Sequence, residues 1–351
     1  MDFIAVVIVF CVLMIVPAGV TRLDSADARD FSTLTGTVSV LRVRGLSDTQ
    51  WHQVWVWRPP GPDSASIPVV YLLHGYPGTA ADPFNSGLAA ILDARLRLGY
   101  EPFVVASPDG NGEHHSDTEW ANSANGNDQV MSRVVDAVIP AVEGSHRRPR
   151  ALRVIAGFSM GGYGAMNIGM QNRGIFGSVV SIDGYFVIND LSDMYGGNPA
   201  VQQQNDPSAH PQWARGLNVI LEEDADDPLS LVRGQAVWMG GLLRRAGVPA
   251  IVRISPGSHS WAYALRALSD SLTYLDQNWQ RTAERVVLAA FWHVVGQQPE
   301  CRVAGERADH AEVAPVQRRD HVGAIFPREY DVYRVRQPDC GIVTKDSVSG
   351  D

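Results

Sequence analysis

Apolar residues fall into short clusters along this chain, separated by polar and glycine-rich breaks. Gly36 to Val43 and Gln53 to Trp57 alternate or cluster β-branched and aromatic residues, which predicts an antiparallel pair of strands. Pro59-Pro60-Gly61-Pro62 then breaks the pattern. Beyond it, uninterrupted apolar strands are predicted at Val69 to Leu73, Phe103 to Ala106, Arg153 to Ala156, Ser178 to Ile182, Asn218 to Leu221 and Ile251 to Ile254. Helical periodicity fills the intervals at Leu88 to Leu98, Val130 to Val142, Gly162 to Met170 and Leu229 to Ala246, with a last helix from Trp261 to Asn278. Strands that are apolar on both faces, divided by amphipathic helices, form a mostly parallel sheet with helices on both sides. Sheets of this kind place their sites at the carboxyl ends of the strands.

The two ends of the chain read differently from the middle. Phe3 to Ile15 carries no charge, and Val16-Pro17-Ala18 follows with small residues at the spacing a signal peptidase reads. Residues 1–20 are therefore expected to be a signal peptide or an N-terminal membrane anchor, although Asp2 stands where a Lys or Arg is usual. Either outcome places the protein outside the cytoplasmic membrane, secreted or held at the cell envelope. A buried N-terminal helix is the remaining alternative. Residues 31–280 hold the α/β domain, and residues 281–351 form an extension of no recognisable role. Cys301 and Cys340 lie in that extension and would pair in an oxidising compartment, whereas Cys11 sits in the leader. The formal charge of −9 over 351 residues argues against nucleic-acid partners.

The polar residues that follow the strands carry the chemistry. The strand at Arg153 runs straight into Gly157-Phe158-Ser159-Met160-Gly161, and a helix of small residues follows at once. This G-x-S-x-G sits in strand–turn–helix context, where the turn is strained and exposes the serine hydroxyl. Ser159 is the expected nucleophile. Its hydroxyl needs a base, and in this fold the acid and the histidine follow it in that order.

The strand at Asn218 ends in Glu222-Glu223-Asp224-Ala225-Asp226-Asp227-Pro228. Asp227 is the expected acid because Pro228 fixes the turn after it, with Asp226, Asp224 and Glu223 as alternatives and the others read as a solvated loop. The next strand ends in Pro256-Gly257-Ser258-His259-Ser260-Trp261, which makes His259 the expected base and Trp261 a candidate for substrate contact. His210 follows no strand. Glu113, His114, His115 and Asp117 lack the spacing of a metal site, so neither metal nor other cofactor is expected. Val69 to Leu73 turns through His74-Gly75-Tyr76-Pro77-Gly78. The backbone N–H groups of Tyr76 and Met160 are the natural oxyanion donors, with His74 and Gly75 beside the substrate. A hydrogen bond holding the loop is the other role open to His74.

With these residues in hand, the chain resembles the esterase branch of the α/β-hydrolases. That branch includes S-formylglutathione hydrolase (esterase D), feruloyl-type esterases and the actinobacterial mycolyltransferases of the antigen 85 group. The resemblance covers about residues 36–280 and rests on Leu72 to Gly78, Gly157 to Ala165, Glu222 to Pro228 and Pro256 to Trp261. Asn205-Asp206-Pro207 resembles the segment before the acid strand in the mycolyltransferases, and Ser116 to Trp120 resembles a loop of exported actinobacterial esterases.

The resemblance implies the α/β-hydrolase fold, with nucleophile Ser159, acid Asp227, base His259 and oxyanion donors on Tyr76 and Met160. The acid loop has Asp224 where the family usually has glycine, and the antigen 85 enzymes use a glutamate, which keeps Glu223 open. The implied reaction is acyl transfer through Ser159 from a small-molecule or lipid ester. Water as acceptor makes an esterase, and a sugar hydroxyl makes an acyltransferase. A binding protein on the same fold would lack one of the three groups.

Overall fold

In the strand Val69–Leu73, Val69, Tyr71 and Leu73 belong to one apolar core and Val70 and Leu72 to another, and all five are buried. A strand sandwiched in this way is central, with helices on both faces. The computed structural model describes residues 34–188 and 193–277, together with the strand backbones at 314–316 and 332–334. Eight strands make the main sheet: β1 (Thr37–Val43), β2 (His52–Arg58), β3 (Val69–Leu73), β4 (Val104–Pro108), β5 (Arg153–Phe158), β6 (Ser178–Ile182), β7 (Asn218–Asp224) and β8 (Ala250–Ser255). Their order is β1-β2-β4-β3-β5-β6-β7-β8. β1 and β2 pair antiparallel, as do β2 and β4; every later neighbour is parallel. This is the α/β-hydrolase arrangement.

The helices are α1 (Asp82–Asn85), α2 (Leu88–Arg97), α3 (Val130–Arg133), α4 (Ile139–Glu143), α5 (Met160–Gln171), α6 (Pro199–Gln204), α7 (Gln235–Arg245) and α8 (residues 261–277). Residues of α3, α4, α5 and α7 share the core of Tyr71 and Ile155. Residues of α2 and α8 share the core of Val70 and Ala156. The helices therefore divide between the two faces.

Three of the expected elements differ in type or by three or more residues from the pattern of the sequence. The helix expected from Val130 to Val142 contains a π-turn at Val134–Val138, which joins α3 to α4 just ahead of Pro140. The helix expected from Leu229 begins only at Gln235, after Gly234 at φ 80°. Residues 228–234 are instead a loop tied down by Asp227, whose carboxylate accepts the Leu229 N–H at 2.8 Å and whose carbonyl accepts from Arg233 Nη2 at 2.7 Å. The strand expected to stop at Leu221 continues to Asp224, because β8 supplies partners as far as Ser255.

Residues 284–351 form a contact unit of their own, in which β9 (Ala314–Val316) and β10 (Val332–Arg334) pair antiparallel. The leader, Cys11, and the expected pairing of Cys301 with Cys340 lie outside the described residues. Among the described residues, no helix is long and apolar enough to cross a membrane.

Candidate active site

Ser159 stands between β5 and α5 at φ 59° and ψ −120°, a backbone conformation that costs a non-glycine residue strain. Two glycines make the turn sterically feasible. A Cβ on Gly157 would collide with the carbonyl of Gly161, and one on Gly161 would collide with the carbonyl of Leu73. The Ser159 N–H donates to the Ile182 carbonyl at 2.9 Å, which fixes the turn against β6. The hydroxyl is left half-buried at the carboxyl edge of the sheet.

Two loops from later strands converge on it. His259 Nε2 lies 2.9 Å from Ser159 Oγ, and His259 Nδ1 lies 2.7 Å from Asp227 Oδ2. Asp227 is fully buried, and its other oxygen accepts the Leu229 N–H. The imidazole also packs on Phe158, the residue before the serine, at 4.7 Å between ring centroids. Phe158 in turn meets Trp261, the first residue of α8, at 5.2 Å. The histidine is thus held by a hydrogen bond at each nitrogen and by an aromatic face.

Of the acidic run from Glu222 to Asp227, Asp226 alone is an exposed loop carboxylate. Glu222, Glu223 and Asp224 are strand residues and all three are buried, as is Asp227. Glu222 bonds Arg253 and Ser271, and burial still pushes its carboxyl above the usual range. Glu223 accepts the N–H groups of Gly234 and Ala236 at 2.6 and 2.7 Å, capping the start of α7. Asp224 accepts the Asp226 N–H. Of the candidates, Asp227 is the one hydrogen-bonded to His259.

The loop after β3 meets the nucleophile from the other side. Gly75 is buried, and a Cβ there would sit 3.1 Å from Ser159 Cβ. Tyr76 is largely exposed, with its hydroxyl 3.3 Å from Ser116 Oγ. Met160 is the first residue of α5, so its N–H has no acceptor within the helix.

Of the two roles expected for His74, the structure shows the hydrogen bond that holds the loop rather than substrate contact. The imidazole has no exposed surface; its Nδ1–H donates to the Gly75 carbonyl at 2.8 Å, while Nε2 accepts the Gly110 N–H at 2.9 Å. Both ring nitrogens are used in tying two loops together, so His74 braces the site and cannot touch substrate. Asp109 stands close by; burial pushes its carboxyl up, but hydrogen bonds from His52 and the Asn111 N–H hold it well below the usual range.

The remaining candidates have structural partners. His115 bonds Asp128 at 2.6 Å, and Asp128 also accepts the backbone N–H groups of Glu113, His114 and His115. His210 stacks on Trp213 at 3.8 Å. Asp48, His52 and Glu113 approach one another as metal ligands would. Their oxygens are already engaged, Asp48 by Gly45 N–H and Arg133 and Glu113 by the N–H groups of Thr49 and Gln50. In the loop from Ser116 to Trp120, Trp120 Nε1 donates to the His74 carbonyl at 3.0 Å, and Glu119 accepts from Tyr185 at 2.5 Å.

One acidic neighbour escaped the sequence reading. Asp183 follows β6 directly, is fully buried, and has Oδ2 3.9 Å from His259 Nδ1. The rule that found Ser159, Asp227 and His259, a polar residue just past a strand, also points to Asp183.

A serine, histidine and aspartate joined in this order are the groups that a serine esterase requires. The "Putative esterase" family model matches residues 50–234. The chain belongs to this esterase family. Its fold is shared by solved structures of a ferulic acid esterase (20% identity, TM-score 0.60, 70% of this chain and 98% of that one) and of an S-formylglutathione hydrolase from Staphylococcus aureus (19%, 0.56, 69% and 99%). A feruloyl esterase module from Clostridium thermocellum is also similar (18%, 0.54, 68% and 88%). Ester hydrolysis is accordingly the chemistry of the family to which this site belongs.

Proposed function

We propose that this esterase is an exported serine hydrolase that cleaves acyl esters through a covalent intermediate on Ser159. The observation that carries the reading is the unbroken line of hydrogen bonds from Ser159 Oγ to His259 Nε2 and from His259 Nδ1 to Asp227 Oδ2. Ser159 Oγ attacks the ester carbonyl and its proton passes to His259 Nε2. Asp227 holds the tautomer with Nδ1 protonated and stabilises the imidazolium that forms. The N–H groups of Met160 and Tyr76 receive the developing oxyanion, and the start of α5 adds its positive dipole end. His259 then returns the proton to the departing alcohol. Water, deprotonated by the same histidine, hydrolyses the acyl-enzyme.

The same groups would serve transfer to a sugar hydroxyl, since only the acceptor differs. The segment Asn205-Asp206-Pro207, similar to that of the mycolyltransferases, supports this second reading. Export is supported by the uncharged run from Phe3 to Ile15 and by Val16-Pro17-Ala18 after it. Occupancy of all three positions speaks against a binding protein with a decayed site.

The test is hydrolysis of p-nitrophenyl esters of increasing chain length by wild type and Ser159→Ala, with and without trehalose. Turnover abolished in the variant supports the reading; turnover retained overturns it. Acylated trehalose among the products would assign the transferase instead. Cell fractionation with N-terminal sequencing tests export.

A further inference from the structure

Asp183 has a carboxyl oxygen that the fold does not otherwise use. Its N–H donates to the Glu222 carbonyl at 2.8 Å, and its Oδ1 accepts the Asp224 N–H at 2.7 Å. These bonds anchor the residue between β6 and β7, with its backbone held at φ 46°. Oδ2 has no hydrogen-bond partner among the described residues and lies 3.9 Å from His259 Nδ1. Oxygens of Asp183 and Asp227 and a nitrogen of His259 lie within 4.8 Å of one another. An asparagine would brace β7 equally well through its amide oxygen, so the brace alone does not account for a second carboxyl.

We propose that Asp183 is a positioning residue of this site, a second acid that holds a proton beside Asp227 and becomes the partner of His259 when Asp227 is lost. The proposal rests on the esterase reading of Ser159, His259 and Asp227. Two neighbouring carboxylates in a buried site do not both ionise at neutral pH. Asp227 alone bonds the imidazole and accepts the Leu229 N–H, whereas Asp183 Oδ2 has no such partner among the described residues. Asp183 keeps the proton.

The groups that face Asp183 agree with this division. Glu223 and Asp224 on β7 and Asp227 in the next loop are acidic; His259 lies after β8, and the Tyr263 phenol on α8 is itself pushed up in part by Asp183. Burial, opposed by the Asp224 N–H and reinforced by the three acids, pushes the Asp183 carboxyl up to about 8. Removing Asp227 takes away one of those charges. Asp183 then ionises at lower pH, and its carboxylate can accept the His259 Nδ1–H.

The test uses the full chain and p-nitrophenyl acetate, with kcat/KM measured from acid to alkaline pH for Asp227→Ala, Asp183→Asn and the double variant. Asp183→Asn alone is expected to keep activity within about threefold of wild type near neutral pH, as expected when the direct partner of the histidine is intact. Asp227→Ala is expected to exceed the double variant by about tenfold or more, a coupling typical of neighbouring groups. Its activity should also rise with pH along a limb that the double variant lacks. Equal rates and equal pH profiles for Asp227→Ala and the double variant would overturn the proposal. Asp183→Gly, suited to the positive φ, replaces Asp183→Asn in both backgrounds if thermal melting shows that the asparagine variant is unfolded. Ser159→Ala run alongside separates the two claims, because turnover retained there overturns the esterase reading instead.

Discussion

Gly157 and Gly161 face each other across the nucleophile turn so closely that a Cβ on the first would strike the carbonyl of the second. The contact is backbone to backbone, so no rotamer change relieves it. Gly157→Ala is expected to lower stability by more than the ~1–3 kcal/mol usual for overpacking. In whatever fraction folds, the Ser159 hydroxyl should be misplaced. Urea unfolding and kcat of the purified variant check this; a variant with wild-type stability and rate would contradict it.

Glu223 and Asp227 are separated in the chain by three residues and in role by the fold. Asp227→Ala should reduce kcat/KM by about 10² to 10⁴, as for loss of the acid in other triads. Its stability loss should be smaller than that of Glu223→Ala, because it orphans one backbone N–H, that of Leu229, rather than two. Glu223→Ala should do the reverse, since it strips both capping oxygens from the start of α7. A stability loss of about 1–3 kcal/mol is expected from two orphaned N–H groups. Parallel melting curves and rates would show whether the two effects divide in this way.

His74→Ala separates a brace from a substrate contact. Loss of the imidazole orphans the Gly75 carbonyl and the Gly110 N–H, both partners of a fully buried ring. The expected result is a stability loss of about 2 kcal/mol or more together with a fall in kcat as the Tyr76 N–H shifts. Unchanged melting temperature with a raised KM alone would return His74 to the binding surface.

Stability should peak in mildly acidic solution. Asp183, Glu222 and Asp117 are pushed up by burial, Asp183 from 3.8 to about 8. The folded state therefore binds more protons than the unfolded chain between those values, and stability falls as pH rises through that window. Glu143 behaves oppositely. Burial pushes it up, but Arg153, the Arg148 N–H and Tyr71 outweigh this and hold it low, so its contribution is lost as pH falls below the usual carboxylate range. Melting temperature measured from pH 3 to 9 should rise from the acid side and decline toward the alkaline side. In Asp183→Asn the alkaline decline should be shallower.

Local chemistry in the sequence was sufficient for the strands and their parallel arrangement, and it singled out Ser159, Asp227 and His259, which the fold brings into one line of hydrogen bonds. Apolar runs buried on both faces leave few topologies, and polar residues placed just past strands mark the active edge. Boundaries were less legible where the cause lay in another strand. Nothing near Leu221 shows that β8 will extend its pairing to Asp224, and nothing near Leu229 shows that the loop will be tied to Asp227.

The sequence by itself determined which chemistry this chain carries, because a strained serine turn needs glycines at fixed offsets and those can be read in order. Only the tertiary structure decided how the acids divide the work. Glu222, Glu223, Asp224 and Asp227 look alike in one short run, yet Glu222, Glu223 and Asp227 find partners in other segments, at Arg253, the start of α7 and His259, while Asp224 bonds the adjacent Asp226 N–H. Asp183 is visible in the sequence as a polar residue just past a strand, but its closeness to His259 is not, and the choice between the two roles open to His74 was settled for the same reason. What a carboxyl or imidazole does depends on what lies within a hydrogen bond of it, and chain separation does not set that distance.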